Sequence, residues 1–241
     1  MPVALITGAS RGFGYALASM LADRGWDLVV DAREPTALAA AAERLRSRGT
    51  GDVVAVAGDV ANPAHRTALV GAVDALGRLD LLVNNASVLG PSPQPTLDRY
   101  PVADIEQVLR VNTVAPLALT QPLLPRLLAG SGTVVNLSSD AAVEAYPGWG
   151  GYGASKAALD QLTAILAAEQ PELRVYAFDP GDMRTDLHQQ AFPGEDITDR
   201  PLPETVVPAL LWLLDTRPPS GRYRAGDLLA DMSPAAAGSG R

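Results

Sequence analysis

Apolar runs of strand length alternate with segments of helical length along nearly the whole chain, and that rhythm restricts the folds open to it. The runs cover residues 3–6, 28–31, 53–57, 79–83, 133–137 and 174–178. The helical segments cover 13–24, 36–48, 63–76, 103–128, 152–168 and 203–214. The short runs are apolar on both sides, as strands are when helices cover both faces of a parallel sheet. Repeated β–α units predict an α/β fold, a Rossmann-type doubly wound parallel sheet of about seven strands. Pro35 and Pro63 sit where helices would start, a position proline favours because the first-turn N–H has no helical partner.

No repeat and no linker divides the rhythm, so a single domain over 1–232 is expected. Two segments interrupt it. Residues 90–95 (Gly-Pro-Ser-Pro-Gln-Pro) cannot form a helix and predict a stiff loop. Residues 186–203 separate the sixth strand from the last long helix. They are expected to act as a substrate lid, the alternative being a solvated connector, because ligands of open α/β sheets bind beyond the C-terminal strand ends. The Ala- and Gly-rich tail, 233–241, is expected to be disordered.

Composition narrows the chemistry. With 241 residues, 47% hydrophobic and 19% charged, the chain can bury a full core. A net charge of −8 and no basic stretch speak against nucleic acid as a partner. Without cysteine, and with only His65 and His188, a metal centre is not expected. No stretch approaches the ~18 apolar residues of a membrane span. The first residues form a strand rather than a charged leader, so a cytoplasmic protein with no membrane partner is expected.

Two local patterns carry chemistry. Thr7-Gly8-Ala9-Ser10-Arg11-Gly12-Phe13-Gly14 follows the first strand and opens a helix. Its glycines allow a tight turn and let a pyrophosphate approach backbone N–H groups at the helix N-terminus. Lys156 is the only lysine, against eighteen arginines, and stands four residues after Tyr152. A compact ammonium and a planar guanidinium are not interchangeable. On a helix this spacing places the ammonium beside the phenol, where a cation favours phenolate and would move its pKa toward neutrality. Such a tyrosine can act as a general acid or base. The alternative for Lys156 is a charge on a solvated helix face.

The spacing Gly8-x-x-x-Gly12-x-Gly14 together with Tyr152-x-x-x-Lys156 resembles the short-chain dehydrogenase/reductase family. Asp59-Val60 resembles its adenine contact, and Asn84-Asn85-Ala86 its Asn-Asn-Ala-Gly motif, with Ser87 where the glycine is usual. Ser139, thirteen residues before Tyr152, matches its catalytic serine, and Asn112 its catalytic asparagine. Pro180-Gly181-Asp182-Met183-Arg184-Thr185 matches the segment that holds the nicotinamide carboxamide. The resemblance implies an oxidoreductase acting on a carbonyl or alcohol, with Asn112, Ser139, Tyr152 and Lys156 catalytic. It implies a homodimer or homotetramer through helices 103–128 and 152–168, with Leu117, Leu119, Leu159, Leu162 and Leu166 as packing residues. A non-catalytic dinucleotide-binding regulator and an imine or enone reductase are the alternatives.

Cofactor contacts are expected from Gly8, Ser10, Arg11, Gly12, Phe13, Gly14, Arg33, Asp59, Val60, Asn85, Ala86, Tyr152, Lys156, Pro180, Gly181, Met183 and Thr185. The family's acidic position at the end of the second strand falls on Ala32, so Arg11 and Arg33 are expected to clamp a 2′-phosphate. NADP(H) is therefore preferred over NAD(H), although Asp31 could bind a hydroxyl or pair with Arg11. The substrate pocket is expected at Ser87, Val88, Leu89, Val143, Tyr146, Trp149, Met183, Leu187, His188 and Phe192. Trp149 has an alternative as a surface aromatic packed on the lid. The preferred reading is a ketoreductase for a mid-sized, largely apolar metabolite.

Overall fold

A computed structural model describes residues 1–232, and the tail from 233 onward lies outside the described residues. Seven parallel strands form one sheet: β1 (Val3–Ile6), β2 (Asp27–Ala32), β3 (Val53–Ala57), β4 (Leu81–Asn84), β5 (Thr133–Leu137), β6 (Arg174–Asp179) and β7 (Gly221–Arg224). Their order is β3-β2-β1-β4-β5-β6-β7, so the chain reverses its winding between β1 and β4. That reversal opens a crevice at the C-terminal strand ends, the usual ligand position in such sheets.

Helices α1 (Gly12–Asp23), α2 (Pro35–Arg46) and α3 (Pro63–Leu76) follow the first three strands. Alternation along the strands splits the core in two. Ala4 and Ile6 of β1 face the cluster holding Leu17 and Leu21 of α1, whereas Val3 and Leu5 face Leu69 and Val73 of α3. Each such fully buried leucine contributes about 1.5–3 kcal/mol relative to exposure. Phe13 at the start of α1 stacks on Phe178 of β6 at 5.8 Å between ring centres, tying the glycine turn to the far half of the sheet. Helix α3 starts on Pro63, with the Asn62 side chain accepting from Ala64 N at 2.9 Å, and stops at the left-handed Gly77.

The segment expected as one helix over 103–128 is α4 (Val102–Leu109), a π turn (Arg110–Val114) and α5 (Ala115–Ala129). Residues 90–95 contain no helix, as their prolines require. Helix α6 (Gly150–Glu169) carries Tyr152 and Lys156. The interval 186–203 contains a short helix, α7 (Asp186–Ala191), capped by Thr185, and α8 (Pro203–Thr216) follows. The seventh strand ends just before Ala225-Gly226-Asp227, which open α9 (Ala225–Met232). Of the leucines considered for subunit packing, Leu119 and Leu159 belong to the core, while Leu117, like Val114 and Ile165, is exposed.

Candidate active site

The crevice between β1 and β4 is stitched by Thr7 and Asn85. Thr7 Oγ1 accepts from the backbone N–H of both Asn85 and Ala86 at 3.0 Å. Asn85 Nδ2 donates to Thr7 O at 2.7 Å and Gly8 O at 3.1 Å. The turn therefore runs close against β4: a Cβ on Gly8 would meet Ala86 Cα at 2.9 Å, and its φ of +66° already favours glycine. Gly14 lies just beneath, where a Cβ would meet Asn85 Nδ2 at 2.5 Å and Gly8 O at 2.7 Å.

Asp31, at the end of β2, is buried. Its Oδ1 accepts from Gly8 N at 2.7 Å and its Oδ2 lies 2.9 Å from His65 Nε2. It does not pair with Arg11, one of the two uses foreseen for it, and it lines the cleft described below. Burial raises its pKa above the ordinary carboxylate value, and the bonds from His65 and Gly8 oppose that shift. Arg11 pairs instead with Asp186 of α7 at 2.6 Å, an exposed contact of little strength. Arg33 is exposed at the cleft mouth.

A cleft of about 1040 Å³ runs along the C-terminal strand ends. Of the predicted cofactor residues, Gly8, Ser10, Arg11, Gly12, Phe13, Arg33, Asp59, Val60, Asn85, Ala86, Tyr152, Lys156, Pro180, Met183 and Thr185 line it. Gly14 and Gly181 do not; Gly14 supports the turn, and Gly181 has a left-handed φ of +71°. The cleft runs from β2 to β6 past the N-terminus of α1, where backbone N–H groups favour an anion.

Tyr152 and Lys156 lie on the cleft wall, both buried. Lys156 Nζ donates to Leu137 O at 2.6 Å and sits 5.4 Å from the centre of the Tyr152 ring. The pair is adjacent, yet the expected drop in the phenol's pKa is not found. Burial pushes the Tyr152 phenol well above its ordinary value, outweighing hydrogen bonds from Ser87 and Ser139. Burial also pushes Lys156 down to about 8, against the pull of Asp160 and Asp179.

Those carboxylates belong to a network that the sequence did not reveal. Arg222 of β7 donates to Asp160 Oδ2 at 3.0 Å, Asp179 Oδ2 at 2.9 Å and Ser139 O at 2.9 Å. It thus links α6, β6 and the turn after β5 behind the ammonium. The four residues are scattered through the sequence, so only the parallel sheet brings them together.

Asn112 sits in the π turn, a distortion frequent at functional sites. Its amide clamps the backbone of Val88 on both sides, accepting from Val88 N and donating to Val88 O at 2.9 Å, and also donates to Ser155 Oγ at 3.0 Å. Ser139 caps a short 3-10 turn, accepting from Ala141 N at 3.2 Å and donating to Asp140 Oδ1 at 2.9 Å. Asn112 is buried, whereas Ser139 is half-buried and lies within hydrogen-bond reach of the Tyr152 phenol.

The expected substrate wall divides. Ser87, Val88, Leu89, Met183 and Leu187 line the cleft, but Val143, Tyr146, Trp149, His188 and Phe192 do not. Trp149 packs between Tyr152 and Phe192, at 5.8 and 6.0 Å between ring centres. Ser92 Oγ also donates to Gln190 O at 2.6 Å, so α7 lies against the proline-rich loop. Trp149 is thus packed on the segment expected as a lid, the second of its two readings. His188, expected at the substrate pocket, is buried against Phe192 at 4.8 Å between ring centres.

Among the described residues, no helix is long and apolar enough to cross a membrane. Replacing Arg222 with Met leaves the carboxylates of Asp160 and Asp179 without their main partner. Urea denaturation of this variant is expected to show a stability loss on the order of 3 kcal/mol, and an unchanged midpoint would contradict the network's role.

Comparison with known proteins agrees with this geometry. A family model described as short chain dehydrogenase matches residues 2–196. Sepiapterin reductase from Mus musculus is 38% identical over 201 residues, covering 78% of this chain and 77% of that protein. A protein from Escherichia coli CFT073, solved in complex with NADPH, superposes with a TM-score of 0.87 at 30% identity, covering 93% of this chain and 96% of that one. An alcohol dehydrogenase from Thermococcus sibiricus, complexed with 5-hydroxy-NADP, gives a TM-score of 0.84 at 26% identity, covering 93% and 95%. The chain belongs to the short chain dehydrogenase family and is a nicotinamide-dependent oxidoreductase acting on an alcohol or carbonyl group.

Proposed function

We propose that the protein is an NADPH-dependent ketoreductase. The carrying observation is the buried, protonated Tyr152 phenol on the cleft wall beside the Lys156 ammonium. A protonated phenol is the acid a carbonyl needs when it accepts a hydride. Reduced nicotinamide, bound in the cleft, supplies that hydride. Tyr152 Oη donates its proton to the carbonyl oxygen as negative charge develops there. Lys156, held by Leu137 O and by the field of Asp160 and Asp179, places a positive charge beside the tyrosine being deprotonated. Ser139 and Asn112 position this site, the first through its turn and the second through Val88.

Preference for NADPH over NADH rests on the end of β2. Asp31 has both oxygens committed to Gly8 and His65, Ala32 cannot accept a hydrogen bond through its side chain, and Arg33 stands exposed at the mouth. Arg33 would meet a 2′-phosphate through charge-assisted bonds. The interval 186–203, packed on Trp149 and the proline-rich loop, would cover the substrate. The apolar wall of Val88, Leu89, Met183 and Leu187 supports a largely apolar ketone. Sepiapterin belongs on the assay panel because relatives are named for it.

Tyr152→Phe is expected to lower kcat for ketone reduction by about a hundredfold or more while NADPH still binds. Retention of wild-type kcat would refute the assignment. Arg33→Ala is expected to weaken NADPH binding about tenfold and leave NADH binding unchanged, as read by nucleotide fluorescence titration. Equal losses for both nucleotides would contradict the 2′-phosphate contact.

A further inference from the structure

His65 is one of two histidines in the chain, and the reaction described above makes no use of it. It stands in the first turn of α3, buried, and does not line the cleft. Its ring packs against Gly58, where a Cβ would run into it. Its Nε2 lies 2.9 Å from Asp31 Oδ2, and the other oxygen of that carboxylate accepts from Gly8 N at 2.7 Å. Helix α3, strand β2 and the glycine turn therefore meet at Asp31.

That meeting point bears on the cofactor. Asp31, Ala32 and Arg33 follow one another along the cleft wall, at the strand end where such sheets place the adenosine ribose. A carboxylate here with a free oxygen would accept from a ribose 2′-hydroxyl and repel a 2′-phosphate. Asp31 is only 1% exposed, however, and its Oδ2 is turned to His65. Whichever of the two carries the shared proton, the bond holds that oxygen off the cleft. The other charges nearby are occupied elsewhere. Asp59, beyond β3, accepts from Ala61 N at 2.8 Å, and Arg66 of α3 donates to Val60 O at 2.6 Å. Arg11 pairs with Asp186, which leaves Arg33 exposed at the mouth.

We propose that His65 is a positioning residue for nucleotide choice: by engaging Asp31 Oδ2 it keeps that carboxylate from a ribose 2′-hydroxyl and leaves Arg33 to select a 2′-phosphate. This rests on the NADPH reading above. Held by His65, Asp31 serves Gly8 N and the glycine turn alone. Released from His65, the same carboxylate would serve NADH. The pair spans 34 positions of the chain and joins the end of a strand to the start of a helix, so no local pattern announces it.

The test titrates NADPH and NADH by fluorescence into the wild type, His65→Phe, Asp31→Asn and the double variant, with melting temperature read alongside. Phenylalanine keeps a ring against Gly58 and removes the bond to Asp31. His65→Phe is expected to shift the preference toward NADH by about tenfold, chiefly through tighter NADH binding, the size of one hydrogen bond to a charged group. A merely bracing role would weaken both nucleotides and tighten neither. In the double variant position 31 carries no charge, so the preference should return to within about twofold of that of Asp31→Asn alone. Asp31→Asn alone should match the wild type or favour NADPH further. His65→Asn, whose side chain falls short of Asp31, carries the same expectation should the Phe variant not fold. Equal changes for both nucleotides in His65→Phe overturn the proposal, as does a shift that survives in the double variant. A loss of NADPH preference in Asp31→Asn overturns it too. Wild-type protein that binds NADH as tightly as NADPH refutes the NADPH reading itself, an outcome distinct from an NADPH-preferring wild type whose preference His65→Phe leaves intact.

Discussion

A single ammonium buried under the end of a parallel sheet organises this site. Lys156 is 2% exposed, and its Nζ is held by the carbonyl of Leu137 at 2.6 Å. Removing that charge from water is unfavourable, and burial lowers its pKa to about 8. Asp160 and Asp179 oppose the loss, and Arg222 holds those carboxylates in place. A guanidinium could not substitute, being too broad and planar for one carbonyl and one ring face. The sign of the linkage follows: a lysine whose pKa falls on folding weakens the fold below about pH 8, and the penalty fades as pH rises from there toward the ordinary value of 10.5.

The same burial sets the chemistry of the phenol. Proximity to a cation alone would make Tyr152 more acidic, but desolvation acts on the phenolate as it does on the ammonium and dominates here. The result is a proton donor at rest rather than a base. Thr7 and Asn85 close the crevice from below, so the glycine turn and the proton donor face one cleft from opposite sides of the switch point.

Much of this was legible in the chain because it follows from local rules. Six strands could be placed from short apolar runs, and Pro35 and Pro63 mark helix starts as the sequence suggests. The glycine turn and the Tyr152–Lys156 spacing are local patterns with local causes. What the sequence concealed is non-local. The strand Gly221–Arg224 is polar and half-exposed, so it carries no apolar signature. The Arg222 network joins residues 62 and 43 positions apart, and the Asp31–His65 pair spans 34. Trp149 faces Phe192 rather than the cleft because α7 lies over it, a tertiary contact no periodicity encodes. The direction of the Tyr152 shift depends on burial depth, which spacing alone cannot give.

Because Lys156 is the only lysine in the chain, lysine labelled with carbon-13 at Cε gives one side-chain NMR signal, and its titration reads this ammonium directly. A midpoint near pH 8 is expected for the folded protein, against 10.5 for an ordinary lysine. A midpoint at the ordinary value would mean that the charge is solvated, and the buried proton-donor site described above would then be wrong.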